Sequence, residues 1–574
     1  MDPSPHKHRS HRHWDSRRKD KRHRLEQVAP YVDGKLVGRD SIVALLELLL
    51  RPGDRVVLEG DNQKQADFLS RSLVQVDAAR LHDLHLLVPS VSRPEHLALF
   101  ERGIARRLDF SFSGPQSVRI AQLLEEGKLE IGSIHTYIEL YARMFIDLTP
   151  QVALVCAEQA DREGNLYTGA NTEDTPTIVE ATAFRHGVVL AQVNEVVDEL
   201  PRVDIPGSWV DLIVPADRPF AREALFTRDP ARISALQVLM AMLTIRGIYE
   251  RHGVTSLNHG IGLATAAIEL LLPTYGESLG LKGKICRHWA LNPHPTLIPA
   301  IESGWVESVH CFGSEAGMEP YVRARSDVFF VGGDGSLRSN RTLCQLAGQY
   351  GVDLFVGATL QMDADGNSST VTHGRLAGFG GAPNMGHDPH GRLAGFGGAP
   401  NMGHDPRGRR HTSPAWLSLI TADAPVVRGR KLVVQLVETF RSGAPAFVES
   451  LDALEVGRRS GMPIAPVMIY GDDVSHVVSE EGIAYLYRTG SGEERRAALA
   501  AIAGATPIGR SADPQRTASL RARGIIAYPE DLGVSRGAAQ RSLLAARCID
   551  ELIAWSGGLY QPPDRLRHGA RAKS

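Results

Sequence analysis

None of the five cysteines (Cys156, Cys286, Cys311, Cys344 and Cys548) stands in a C-x-x-C pair. That scatter argues against a disulfide frame or a zinc ribbon and fits a reducing, cytoplasmic setting. No apolar run approaches the ~20 residues that span a bilayer. Even ALQVLMAML at 235–243 is short and contains Gln237, so it reads as a buried helix and no membrane association is expected. The N-terminus lacks the apolar core of a signal peptide. A Gly-Lys-Ser/Thr ending, which a Walker loop requires, does not occur. The net charge is only −2 over 574 residues, which gives no global field for nucleic acid.

That balance conceals one asymmetry. Residues 1–24 hold nine Lys or Arg against three Asp, a net of +6, so the remainder carries −8. Such a segment is either an arm for a partner or a solvated tail. With one Trp and little else to bury, it is expected to be a disordered basic tail. Its five histidines fit no closed metal site, and no metal ligands are assigned anywhere in the chain.

The rest of the chain alternates short apolar strands, glycine turns and amphipathic helices. RPGDRVVLEGDNQKQADFLSRSLVQV illustrates the plan, with Val56 to Leu58 as strand and Asp61 or Asn62 as helix cap. The pattern predicts an α/β fold with mainly parallel sheet covered by helices. A faint internal repeat divides it. At an offset of 202, Gln159/Gln361, Asp161/Asp363, Gly164/Gly366, Asn165/Asn367 and Thr168/Thr370 are identical, and each block follows an apolar run. Two similar domains are therefore expected, 25–235 and 236–574. In open α/β sheets ligands gather at the carboxyl ends of strands, which makes Asn165 and Asn367 substrate-binding candidates.

Three glycine-rich stretches mark the second half. SLNHGIGLATAAIELL places Asn258, Gly260 and Gly262 before a helix. FFVGGDGSLRSNRTL places four residues beginning at Gly332 before another, with Arg338, Ser339 and Asn340 as candidates to hold an anionic substrate. RLAGFGGAPNMGHD carries Gly380 and Gly381. Each stretch reads either as a tight turn or as a row of N–H groups that cradles an anion or a developing oxyanion. The last stretch lies in an unusual setting: residues 373–389 recur without change as 390–406. The second copy supplies Gly397 and Gly398, so the catalytic candidates form the set Gly380, Gly381, Gly397 and Gly398. A bulge of 17 extra residues lengthens a loop from ~6 to ~23 residues at a cost of about 1 kcal/mol, so function is more at risk than folding.

ADREGNLYTG, MDADGNSST, NHGIG, AGFGGA and HVVSEEGIAYL resemble recurrent segments of the coenzyme A transferase superfamily. Within it, WDSRRKDKRHRL, LEGDNQKQADFLSRSL, NLYTGANTEDTPTIVEA and GRLAGFGGAPNMGHDPRGRRH are similar to the malonate decarboxylase alpha subunits, from about Trp14 to the C-terminus. The resemblance implies two coenzyme A transferase-type domains and exchange of malonyl for acetyl on an acyl carrier protein, releasing acetate. It implies the carrier protein and the decarboxylase subunits as partners. It also implies action on a phosphopantetheine-type, dephospho-CoA-derived arm, with no cofactor bound by this chain. Acetyl-CoA as donor, or a ligand sensor on the same fold, are the alternatives.

One departure matters. Many of these transferases place a nucleophilic Glu in a Ser-Glu-Asn-Gly segment, where this chain reads GKICRHWALNPHP without a carboxylate. Direct attack by malonate's carboxylate on the acetyl thioester is then expected, with the enzyme positioning and stabilising. Glu302 is the nearest alternative nucleophile and reads more simply as a helix-end surface residue. His259 and His288 read as core or hydrogen-bonded histidines.

Overall fold

The computed structural model describes residues 6–60, 64–170, 172–311, 313–330, 352–385 and 432–568. Strands β1 (Val32–Asp33), β2 (Leu36–Val37), β3 (Arg55–Leu58), β4 (Leu84–Ser90), β5 (Ala105–Phe112), β6 (Glu130–Ile134), β7 (Val152–Ala160), β8 (Leu166–Tyr167), β9 (Val188–Val196) and β10 (Leu212–Pro215) form the first sheet. Its order is β1-β2-β10-β9-β7-β3-β4-β5-β6, with β8 folded back on β7. Pairing is parallel from β2 through to β6. The residues explain this: Val56, Leu58 and Leu154 pack on one face, and Val57, Ala153 and Val155 on the other. A strand buried on both faces reads as a continuous apolar run.

The second sheet begins with β11 (Ser256–His259), β12 (His288–Leu291), β13 (Ser308–Cys311) and β14 (Leu354–Ala358). Short strands β15 (Gln361–Asp363), β16 (Ser368–Ser369), β17 (Val371–Thr372) and β18 (Arg375–Leu376) follow, then β19 (Leu432–Leu436), β20 (Phe440–Arg441), β21 (Ala444–Pro445) and β22 (Phe447–Val448). β23 (His476–Val478), β24 (Ile483–Tyr485) and β25 (Ile526–Ala527) complete the set. The main order is β13-β12-β11-β14-β19-β23-β24-β25, parallel as far as β23. Six strands of each sheet follow one plan, since β10-β9-β7-β3-β4-β5 and β23-β19-β14-β11-β12-β13 match in connectivity and direction.

The offset of 202 has the same physical basis in both halves. Asn165 donates to the Asp161 carboxylate at 2.6 Å and accepts the Gly207 N–H at 2.7 Å. Asn367 donates to Asp363 at 2.8 Å and accepts the Gly471 N–H at 2.9 Å. The repeated motif is a locked turn at the ends of β7 and β15.

The expectation of a disordered tail over residues 1–24 is corrected for residues 6–24, residues 1–5 lying outside the described residues. His6–Val28 is a helix. Its basic side chains find distant partners: Arg17 donates to the Pro150 carbonyl at 2.7 Å, and Lys21 pairs with Asp211 at 2.8 Å. Arg24 grips both Asp54 oxygens at 2.6 and 2.9 Å, and Val28 is fully buried. Bidentate pairing and one apolar anchor order a segment that has little hydrophobic residue of its own.

Candidate active site

A cavity of about 350 Å³ opens at the carboxyl ends of β11 and β14. Its floor is the turn Asn258 to Gly262 and the start of the helix Leu263–Leu271. The roof comes partly from the other half of the chain, as Phe112, Gly114 and Tyr137, and partly from the loop that runs through Gly381. Asn258, Gly260, Gly262, Gly380 and Gly381 are thus brought together.

The first copy of the duplicated segment is the one seen to dock. The Ser111 carbonyl accepts both the Phe379 and Gly380 N–H groups, at 2.8 and 2.9 Å. Ser113 returns a backbone bond to the Ala377 carbonyl at 3.0 Å, and Gly380 accepts the Tyr137 N–H at 3.1 Å. Gly378 has φ +74°, and a Cβ there would lie 2.4 Å from the Ser111 carbonyl oxygen, so the joint requires glycine. These bonds correct one expectation. The Gly380 N–H is engaged by Ser111 and cannot serve an oxyanion, whereas the Gly381 N–H has no backbone acceptor among the described residues. Gly397 and Gly398 lie outside the described residues, as do Arg338, Ser339 and Asn340.

The floor is aimed by a buried network. Arg228 donates to the Gly260 carbonyl at 3.2 Å, and the Thr265 hydroxyl lies 2.8 and 2.9 Å from the Gly260 and Gly262 carbonyls. In a trans peptide the next N–H points the opposite way. The N–H groups of Ile261 and Leu263 are therefore turned away from these anchors, and Ile261, Gly262 and Leu263 all line the cavity. Their position at a helix start adds partial positive charge.

Behind the turn, the fully buried Glu269 carboxylate gathers four side chains. His259 and His294 each place Nδ1 at 3.0 Å, Arg228 Nη1 lies at 3.3 Å, and Thr296 donates its hydroxyl. The far nitrogens decide the protonation. Arg228 must donate to His294 Nε2 at 2.9 Å, and Tyr249 OH stands 2.6 Å from His259 Nε2. His294 is then neutral with the proton on Nδ1, and burial, which lowers the His259 pKa, leaves that imidazole neutral too. Burial, then the Arg228 charge, pushes His294 down to about 4, and burial also lowers His259. Burial works to raise the Glu269 pKa, but Arg228 and the two histidines outweigh it and hold the carboxyl well below its usual range. Neither histidine is poised as a base near neutrality; both hold the turn. His288, by contrast, sits on the surface, 2.9 Å from Ser308 Oγ.

Among the described residues, three of the four charged side chains lining the cavity are arginines: Arg232, Arg375 and Arg441. The fourth is Glu438, which accepts the Gln237 amide at 2.7 Å. Glu302 is elsewhere, bonded to Tyr321 at 2.6 Å and to Arg325. Asn165 and Asn367 do not line the cavity, and their carboxamides are occupied by the locked turns, so the substrate-binding expectation for them is corrected. Sequence reasoning missed Glu269, although an acidic residue inside LATAAIELLL is a signal that it has a buried partner. It missed Glu438, Arg441 and Arg375 as well.

Glycine turns, a helix start and arginines around a cavity at parallel strand ends define an α/β protein built to hold a small carboxylate- or carbonyl-bearing ligand. The chain belongs to the malonate decarboxylase alpha subunit family, whose model, described as "Malonate decarboxylase, alpha subunit, transporter", matches residues 13–393 and 390–569. The two matches meet inside the duplication. The chain is 53% identical to the acetyl-S-ACP:malonate ACP transferase of Malonomonas rubra, over 96% of this chain and 98% of that one. It is similar to the solved Pseudomonas malonate decarboxylase hetero-tetramer in complex with malonate, at 66% identity and a TM-score of 0.87, covering 98% of this chain and 100% of that one. The malonate decarboxylase alpha subunit of Acinetobacter baumannii gives 61% identity and a TM-score of 0.85, covering 96% and 100%.

Proposed function

We propose that this chain is an acyl-exchange transferase that converts an acetyl thioester of an acyl carrier protein and malonate to the malonyl thioester and acetate. The observation that carries this reading is the cavity itself, where Gly381, Ile261 and Leu263 line one space with arginines. A carboxylate of malonate attacks the acetyl carbonyl carbon. The resulting oxyanion takes hydrogen bonds from the backbone N–H groups of Gly381, Ile261 and Leu263, which are fixed before the reaction begins. The thiolate leaves, and a mixed anhydride of acetate and malonate remains. The thiolate then attacks the malonyl carbonyl carbon and acetate departs, so no enzyme-bound acyl group is needed. The carrier's phosphopantetheine-type arm enters the cavity, and the carrier and decarboxylating subunits are the partners this reading requires.

Glu438 favours a second route, because a half-buried carboxylate on the cavity wall can itself attack the acetyl thioester. One experiment separates the routes. The chain is incubated with acetyl-carrier alone and the free thiol is measured, then labelled malonate is added. Direct attack predicts no thiol release until malonate arrives, followed by labelled malonyl thioester. Stoichiometric thiol release before malonate, abolished in Glu438→Gln, supports the enzyme-bound route. Absence of malonyl thioester with either carrier or CoA as donor rejects the transferase reading.

A further inference from the structure

We infer that Arg375, with Arg441 lining the same cavity, receives the second carboxylate of the acceptor and makes the cavity select a short dicarboxylate over acetate. This rests on the transferase reading above. Arg375 is half-buried at β18, two residues before the docked loop begins. Its Nε donates to Ser117 Oγ at 3.0 Å, a residue of the other half, which fixes the plane of the guanidinium. The fork of Nη1 and Nη2 remains for a ligand. Among the described residues no carboxylate pairs with it, whereas Arg24, Arg93 and Arg228 are each matched by Asp54, Glu223 and Glu269. Burying a cation without a counter-ion is costly, and a bound carboxylate removes that cost. A planar fork is the geometry that grips a carboxylate through two bonds.

Arg441 strengthens the assignment. It lines the same cavity, and after burial its charge is the factor that lowers the Arg375 pKa. Two cations that line one cavity repel, and a bound anion offsets that repulsion. Acetate has one carboxylate, which the reaction places at the backbone N–H groups. Malonate has a second, and this pair of arginines is where the cavity offers charge for it.

The test uses the full chain with Arg375→Met and Arg392→Met together, because Arg392 is the counterpart in the second copy. Two acceptors are compared at the level of kcat/KM: malonate, by malonyl thioester formation, and labelled acetate, by exchange into the acetyl thioester. The malonate-to-acetate preference should fall about 100-fold, the worth of a doubly hydrogen-bonded charge pair. The Arg375→Lys and Arg392→Lys pair should keep part of the preference, and Arg441→Met should cost about tenfold through charge alone. A preference that is unchanged, or an equal loss for both acceptors, overturns the inference while leaving transferase activity in place. If the unaltered chain transfers to neither acceptor, the proposed function falls and the inference with it.

Discussion

At the end of β3 and at the end of β11 the chain makes the same hydrogen bond. Glu59 N–H donates to the Leu154 carbonyl at 2.9 Å, and Gly260 N–H donates to the Val356 carbonyl at 2.7 Å. Leu154 and Val356 are related by the offset of 202. Yet the first half places a carboxylate there and the second a glycine. Glu59 turns inward, fully buried, accepting the Cys156 N–H at 2.7 Å and the Thr175 hydroxyl, with Lys64 at 3.8 Å. Gly260 leaves its side-chain position empty, and a Cβ would meet Gly357 Cα at 3.3 Å. In the second half the carboxylate is Glu269, behind the turn on the helix, where it holds the backbone instead of filling the space. One architecture thus yields a plugged strand end and an open one, and the difference lies in which side of the turn the acid occupies.

The sharpest way to break that comparison is to exchange the residues. Gly260→Glu should lower malonyl thioester formation about 1000-fold, because it puts a like charge into an anion site and displaces the turn that supplies N–H donors. In the first half, Glu59→Leu should leave the cavity alone but destabilise the fold by about 3 kcal/mol, since Lys64 loses its buried carboxylate neighbour. Urea unfolding and transfer assays on both variants give the answer. A destabilised Gly260→Glu together with an inactive, stable Glu59→Leu would mean that the roles of the two strand ends have been reversed.

A second contrast concerns buried histidines. In the second half, His294 is held neutral, with its pKa lowered by burial to about 4. Such a group binds protons in the unfolded chain first. Its contribution is whole above pH 6.5 and is lost as pH falls toward 4, by at most about 1.4 kcal/mol per pH unit. In the first half, burial acts to lower the His135 pKa, but Glu139 and Asp109 prevail and raise it. Its contribution is whole below pH 6.5 and is lost as pH rises through the raised value. Unfolding in urea from pH 5 to pH 8 should therefore give His294→Gln a shallower acid limb and His135→Gln a shallower alkaline limb than the unaltered chain. Equal effects of the two substitutions on one limb would contradict the assigned charges.

The parts of the site that are legible in sequence are those set by local backbone. Gly260 and Gly262 mark a turn at the end of β11, and turns at strand ends converge in a parallel sheet whatever the rest of the chain does, while Gly381 marks the loop that leaves the antiparallel β17–β18 hairpin. Asn165 and Asn367 mislead for the same reason: the motif is a turn, and the turn uses the asparagine side chains itself. What local pattern does not carry is pairing at a distance. Glu269 meets Arg228 across 41 positions and His294 across 25. Arg17 meets Pro150 across 133, so the basic segment looks unsupported when read alone. Arg375 lies inside the conspicuous repeat, but only the fold reveals that no carboxylate among the described residues pairs with it.

The smallest expected effect concerns the repeat, where the comparison is between identical segments. Residues 376–380 of the first copy form the joint with Ser111, Ser113 and Tyr137, while residues 386–431, including the whole second copy, lie outside the described residues. Deleting 17 residues gives one sequence whichever copy is removed, so the joint can re-form unchanged. Stability should shift by no more than about 1 kcal/mol, and malonyl thioester formation should stay within about threefold. A gain well beyond that would mean that the second copy competes for the joint or obstructs the carrier's approach. A loss would mean that the longer chain supplies something the first copy lacks. Combining the deletion with Gly378→Ala sharpens the result. With one copy left, the added methyl group has only the position 2.4 Å from the Ser111 oxygen to occupy, and transfer should then collapse. In the full chain the duplicate can take its place, so the same substitution should be milder there.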